Sequence, residues 1–240
     1  MGKTAIEWTR ADDGSPGFTW NPWQGCIKVS PGCKNCYMYR EKNRYGQDPA
    51  VVVRSKPATF NAPLKWKEPA RVFTCSWSDF FIKQADPWRD EAWDIIYRTP
   101  HLTYLILTKR PERIEAHLPA NWDSPTYDHV WLGISAETQE WYDRRWSILS
   151  KVRASVRFVS AEPLLGPIRF GVGYYPDWVI VGAETGTGAR FTDIEWMRGL
   201  KRECGDDVPL FVKQITENGR KVPFEEWPED LKIREFPEYG

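Results

Sequence analysis

Six short runs rich in β-branched and aromatic residues recur along the chain, each followed by polar turn residues and then a helical pattern. They are Val72 to Ser76, Tyr104 to Thr108, Val130 to Ile134, Val156 to Ser160, Trp178 to Gly182 and Pro209 to Lys213, and a further strand is expected at Phe18 to Trp20. Helical patterns fall at Trp88 to Tyr97, Pro111 to His117, Thr138 to Ser150 and Asp193 to Glu203, the last entered through Thr192 as a cap. Strands alternating with helices pair in parallel, and runs that are nearly continuously apolar belong to strands buried on both faces. The pattern predicts an α/β fold, an open or partly closed (β/α) barrel of parallel strands. A doubly wound open sheet satisfies the same periodicity.

The 240 residues suffice for one domain, expected over residues 1–240. Residues 216–240 carry Pro223, Pro228 and Pro237 and read as a C-terminal strap. Arg54 to Pro69 reads as a connector. Thirty-three basic and thirty-three acidic residues cancel, so no whole-protein field attracts nucleic acid or an anionic membrane. No apolar run approaches the roughly 18 residues of a membrane helix, and no secretory leader follows Met1; the expectation is a soluble, cytoplasmic protein without a membrane partner. Fourteen Trp, ten Tyr and eleven Phe supply large buried areas and, where exposed, a stacking surface.

Three of the five cysteines crowd into eleven residues, as Cys26-x6-Cys33-x2-Cys36. That spacing is foreign to a disulfide framework and favours metal binding. Gly25, Pro31 and Gly32 let the backbone turn so that three thiolates converge. Three protein ligands leave one position open, whereas structural zinc takes four. Two readings follow. An iron–sulfur cube held by Cys26, Cys33 and Cys36 would expose its fourth iron; a zinc site would need His101, His117, His129 or a carboxylate as its fourth ligand, and none of these histidines has a ligand spacing to the loop. Cys75 reads as a strand residue packed in the core, and Cys204 as a helix-end residue.

Every strand run ends in polar groups, where β/α barrels collect their functional residues. Ser76, Ser78 and Asp79 follow one run; Thr108, Lys109 and Arg110 the next; then Ser135 with Glu137, Ser160 with Glu162, Glu184 with Thr185, and Lys213 with Gln214. Ser135 and Glu137 also suit helix capping. Lys109, Arg110, Glu162 and Lys213 would form a charged ring that binds an anionic substrate or pairs within itself. The glycines of Gly182 to Gly188 lack a phosphate-loop register and suit close backbone approach.

These features resemble the radical S-adenosylmethionine superfamily, and more closely a phage-encoded and bacterial family of three-cysteine proteins. The resemblance is carried by Trp20-Asn21-Pro22, Gly32-Cys33-Lys34-Asn35-Cys36-Tyr37, Ser160 to Leu165 and Val212-Lys213-Gln214. The first cysteine gap is six residues instead of the superfamily's usual three, and Asn35 stands where an aromatic is common. The resemblance implies a [4Fe–4S] cluster that cleaves S-adenosylmethionine to a 5′-deoxyadenosyl radical. It also implies cofactor contacts from Ser76, Ser78, Asp79, Ser135 and Glu137, to which the strand-end Glu184 is added as a candidate, and an electron donor such as flavodoxin or ferredoxin. A nucleic acid or nucleotide is the expected substrate. Two further readings compete: a noncatalytic, zinc-stabilised nucleic-acid-binding or interaction protein, and a photoproduct-repair-like or other iron–sulfur enzyme, with Cys75 or Tyr37 as hydrogen donor.

Overall fold

A computed structural model describes residues 2–238 except Asp12, Val172 and Tyr174. Its centre is one sheet of seven parallel strands: β1 (Phe18–Trp20), β2 (Ala70–Thr74), β3 (Leu102–Thr108), β4 (Val130–Ser135), β5 (Arg157–Ala161), β6 (Trp178–Gly182) and β7 (Leu210–Gln214). They lie in sequence order, and β1 and β7 do not pair with each other. Consecutive order with parallel pairing winds the chain one way, which selects a curled, partial (β/α) barrel over a doubly wound sheet.

Four helices of two turns or more lie among the described residues, α1 (Tyr37–Arg44), α2 (Asp86–Tyr97), α3 (Gln139–Leu149) and α4 (Ile194–Cys204), and a single helical turn, Pro57–Phe60, lies in the connector before β2. Two local expectations are corrected. Pro111 to His117 forms two 3-10 turns instead of a helix. The α4 cap is Asp193, whose side chain accepts from the Glu195 N–H, while the Thr192 hydroxyl donates to the Leu164 carbonyl. Helix α1, unexpected from the sequence, starts directly after Cys36. The connector between the cysteine loop and β2 contains a short strand, Val53–Arg54, that pairs antiparallel with Trp23–Gln24.

The two faces of the sheet bury different cores. Val72, Ile106, Leu132, Ile134, Val159, Val179, Val181 and Val212 pack toward the helices. Their alternates Phe73, Leu105, Trp131, Phe158, Trp178, Ile180 and Phe211 form a separate aromatic core on the opposite, concave face. Alternation of period two makes this division automatic.

An open curl would leave the aromatic core wet along one side, and the chain termini cover it. Trp8, in the 3-10 turn Glu7–Thr9, touches Phe73 of β2 and Trp178 of β6. From the other end of the chain, Phe236 packs on Trp178 and Phe211, and Arg234 pairs with Glu7 at 2.9 Å. The tail also covers the β7 edge: Glu235 N–H donates to Leu210 O and Val212 N–H to Ile233 O. An uncovered strand edge would invite pairing with other chains. Trp178 is fully buried among Trp8, Trp131, Phe158 and Phe211. Trp178→Ala should therefore lower unfolding free energy by about 3–5 kcal/mol, measured as a shifted denaturant midpoint with unchanged slope.

Candidate functional site

The aromatic core fills the lower concave face, and above it opens a cavity of about 640 Å³ at the C-terminal strand ends. Its lining includes Cys26, Cys33 and Cys36 together with Ser76, Ser78, Asp79, Lys109, Arg110, Ser135, Glu162, Glu184 and Lys213. Of the expected site residues only Glu137 stands outside this lining.

The three thiols are free and half-buried, and all three act electrostatically on the Tyr39 phenol, raising its pKa after the larger effect of burial. Tyr39 in turn donates from its hydroxyl to the Cys26 carbonyl. The Cys26 thiol is pushed up to about 11 by burial and by the Asp79 carboxylate, against the opposing pull of Arg110. Among the described residues no three His, Cys, Asp or Glu side chains gather tightly enough to hold one ion. The histidines bond elsewhere: His101 to the Trp66 carbonyl, His129 to the Ile96 carbonyl, and His117 to Arg113. None lines the cavity. Three thiols around one space, without an imidazole, suit a group bound through three separate sulfurs, as an iron–sulfur cube is.

Three buried carboxylates hold the loop that carries the thiols. Asp79 accepts from the Thr108 hydroxyl at 2.7 Å, the Lys109 and Phe81 N–H groups at 2.9 and 3.0 Å, and Arg110 at 2.9 Å. Arg110 then reaches the loop, donating to the Ile27 carbonyl at 2.7 Å and lying 3.8 Å from Cys26 Sγ. Glu137, fully buried, accepts from the Ser30 hydroxyl at 2.6 Å and from Arg145 at 3.0 Å. Gly32 packs on Glu137 so closely that an added Cβ would fall 2.3 Å from its Oε1. Glu184 accepts from Asn35 at 2.9 Å and, through both oxygens, from Arg190, which also donates to the Pro31 carbonyl. Burial opposes the charge on Glu184, yet Arg190 and Asn35 hold its pKa down to about 2.

The remaining expected residues divide. Ser78 donates to the Gly25 carbonyl at 2.6 Å, and Ser76 exchanges hydrogen bonds with Asn21. Lys213 pairs with Glu162 at 2.8 Å, so that half of the charged ring closes on itself, and Arg110 pairs with Asp79. Lys109 has no ion pair among the described residues. Cys75 is corrected from a strand residue to the first residue beyond β2, with φ of 61°, its N–H donating to the Trp20 carbonyl. It is buried and lines the cavity, as does Tyr37, whose hydroxyl donates to the Ser76 carbonyl. Sequence reasoning missed Asn35 and Arg190 as partners of Glu184, and Tyr39, Arg40 and Lys221 as cavity residues; none was marked out by its residue type or spacing. Thr4, Ile6 and Trp8 also line the cavity, and only their packing reveals it.

The sequence matches a family described as "Protein of unknown function (DUF5131)" over residues 3–230. The chain belongs to that family. No curated protein matches the sequence significantly. Among solved structures it is similar to a cysteine-to-serine mutant of spore photoproduct lyase at 15% identity and a TM-score of 0.50, over 81% of this chain and 62% of that one. It is also similar to "Spore photoproduct lyase complexed with dinucleoside spore photoproduct", at 14% identity, a TM-score of 0.49 and coverage of 83% and 64%. A third, a double mutant of spore photoproduct lyase "with bound AdoMet and dinucleoside spore photoproduct", gives 13%, 0.49, 88% and 60%. The chain thus spans less than two thirds of those proteins, and the likeness is one of fold.

Because Glu184 is held below its ordinary value, its contribution to stability is complete above about pH 4.5 and fades as the pH falls toward 2. Glu184→Gln should cost about 2 kcal/mol near neutral pH, and the difference from the parent protein should shrink toward zero between pH 4.5 and 2, read from denaturant melts across that range.

Proposed function

We propose that the chain is a radical S-adenosylmethionine enzyme, with Cys26, Cys33 and Cys36 holding a [4Fe–4S] cluster in the strand-end cavity. The observation that carries this reading is that those three free thiols line one cavity, at the C-terminal end of a partial parallel barrel, with no imidazole in its lining. Held by Cys26, Cys33 and Cys36, such a cluster would supply one-electron reductive cleavage of S-adenosylmethionine and, through it, hydrogen-atom abstraction from a substrate.

The protein's own residues prepare that chemistry. Asp79 with Arg110, Glu137 with Arg145 and Glu184 with Arg190 fix the loop from three strand ends. Arg110 lies beside Cys26, where a guanidinium favours the thiolate that iron requires. The Ser76, Ser78 and Ser135 hydroxyls give the cavity a polar wall suited to the ammonium and ribose of S-adenosylmethionine, while the Asp79 and Glu184 carboxylates, each taken up by four donors of the protein, orient the loop around it. Glu137 takes a supporting position, since its carboxylate is occupied by Ser30 and Arg145. The aromatic floor of Trp8, Phe73, Trp131 and Trp178 excludes water from below. A nucleic acid or nucleotide is the proposed substrate, and an external one-electron donor such as flavodoxin or ferredoxin is required by the stoichiometry.

Anaerobic reconstitution should give a brown protein with about four irons per chain, and dithionite with S-adenosylmethionine should release 5′-deoxyadenosine. Ala at Cys26, Cys33 or Cys36 should abolish both iron retention and 5′-deoxyadenosine. A colourless protein with stoichiometric zinc, or a fully loaded cluster yielding no 5′-deoxyadenosine, would sink the proposal.

A further inference from the structure

The charges around the cavity do not cancel as those of the whole chain do. Its three carboxylates, Asp79, Glu162 and Glu184, are each neutralised by a partner at 2.9 Å or less. Four more cations line it without any carboxylate partner among the described residues. Lys28 donates to the Lys34 carbonyl and lies over the Tyr39 ring, Arg40 donates to the Thr185 carbonyl, and Lys109 and Lys221 make no ion pair. A low-dielectric concavity lined by one sign of charge focuses its field on an oppositely charged ligand.

These cations are spread out. Lys109 follows β3, whereas Lys221 lies in the hairpin after β7, four strands further along the sheet. At about 4.8 Å per strand step the arc along the curled sheet is roughly 19 Å, which bounds their separation from above and sets them on opposite sides of the mouth. A single phosphate needs cations gathered at one point; a row of phosphates needs them spaced. Aromatic surface accompanies the charges: Tyr37, 45% exposed, and Trp77 both line the cavity. Cations that track a backbone, interleaved with exposed rings, form the pattern by which single-stranded nucleic acids are held.

We infer that a single-stranded nucleic acid crosses the cavity mouth, its phosphates held by Lys109 on one side and by Arg40 and Lys221 on the other, with one nucleotide turned inward. This rests on the proposed function and deepens it by assigning its substrate class, a strand in preference to a free nucleotide. The cavity is too small to admit a duplex, so only an unpaired nucleotide at its mouth could turn toward it.

The test is fluorescence anisotropy with the full chain, in the absence of S-adenosylmethionine and reductant, using labelled DNA and RNA single strands of about twelve nucleotides. Binding is expected at about 50 mM salt, with AMP failing to compete at strand-equivalent phosphate concentrations. Lys109→Ala/Lys221→Ala should weaken binding about tenfold or more and flatten the slope of log K against log salt by about 1.4, the value for two phosphate contacts on a single strand. Lys151→Ala, at an exposed position just beyond α3, should leave both quantities unchanged. Absence of strand binding, equal competition by AMP, tighter binding of the matching duplex, or an unchanged salt slope in the double variant would each overturn the inference. Because this assay does not involve radical chemistry, it fails or succeeds separately from 5′-deoxyadenosine formation.

Discussion

The carboxylate of Asp79 accepts four hydrogen bonds within the protein, from Thr108, Lys109, Arg110 and Phe81, and through Arg110 it reaches the Ile27 carbonyl and the Cys26 sulfur. One buried charge thus fastens the ends of β2 and β3 to the first cysteine of the loop. A carboxylate this buried is tolerable only when every lone pair finds a donor, and it then becomes costly to disturb, because removing one partner strands the other. Glu137 and Glu184 repeat the arrangement further along the sheet, each with its own arginine. The cysteine loop has little apolar surface with which to fold by itself, so these three ion pairs set where its sulfurs stand.

This changes the meaning of acidic residues at strand ends. Asp79, Glu137 and Glu184 invite assignment to the cofactor because strand ends are where barrels bind ligands. Their hydrogen bonds show that they first serve the loop, and Glu137 does so entirely from beneath it. What is left facing the cavity is a polar wall of hydroxyls and an excess of cations, on an aromatic floor closed by the two chain termini. The proposed radical chemistry would draw on the aromatic floor, which keeps water out from below, and the proposed strand on the wall's cations that have no carboxylate partner among the described residues.

The strands were readable because their apolar runs are longer than chance polar loops allow, and β6 falls at the residues its run marks, Trp178 to Gly182. Elements whose stability is local were less readable. Helix α1 is short and highly polar, and it exists because it continues from the anchored loop. The segment after β3 carries a helical pattern but starts at Pro111 and turns tightly, with Arg113 drawn to Asp86. Cys75 looks like a strand residue by composition, yet the parallel ladder ends at Thr74 and the next residue turns left-handed to meet β1.

The sequence alone determined the α/β alternation, the three clustered thiols and the polar character of every strand end, because each is a matter of residue type and spacing. Only the tertiary structure decided which of those polar groups face the cavity and which hold the loop. Alternation dictates side-chain direction while the ladder hydrogen bonds persist; beyond Ser135 or Gly182 that rule lapses, and Glu137 and Glu184 turn toward whichever buried donors the fold brings within reach. The choice among strand ends was likewise tertiary: Lys109 and Lys213 read alike in sequence, but Glu162 lies within 2.8 Å of Lys213 and no carboxylate is placed to pair with Lys109 among the described residues.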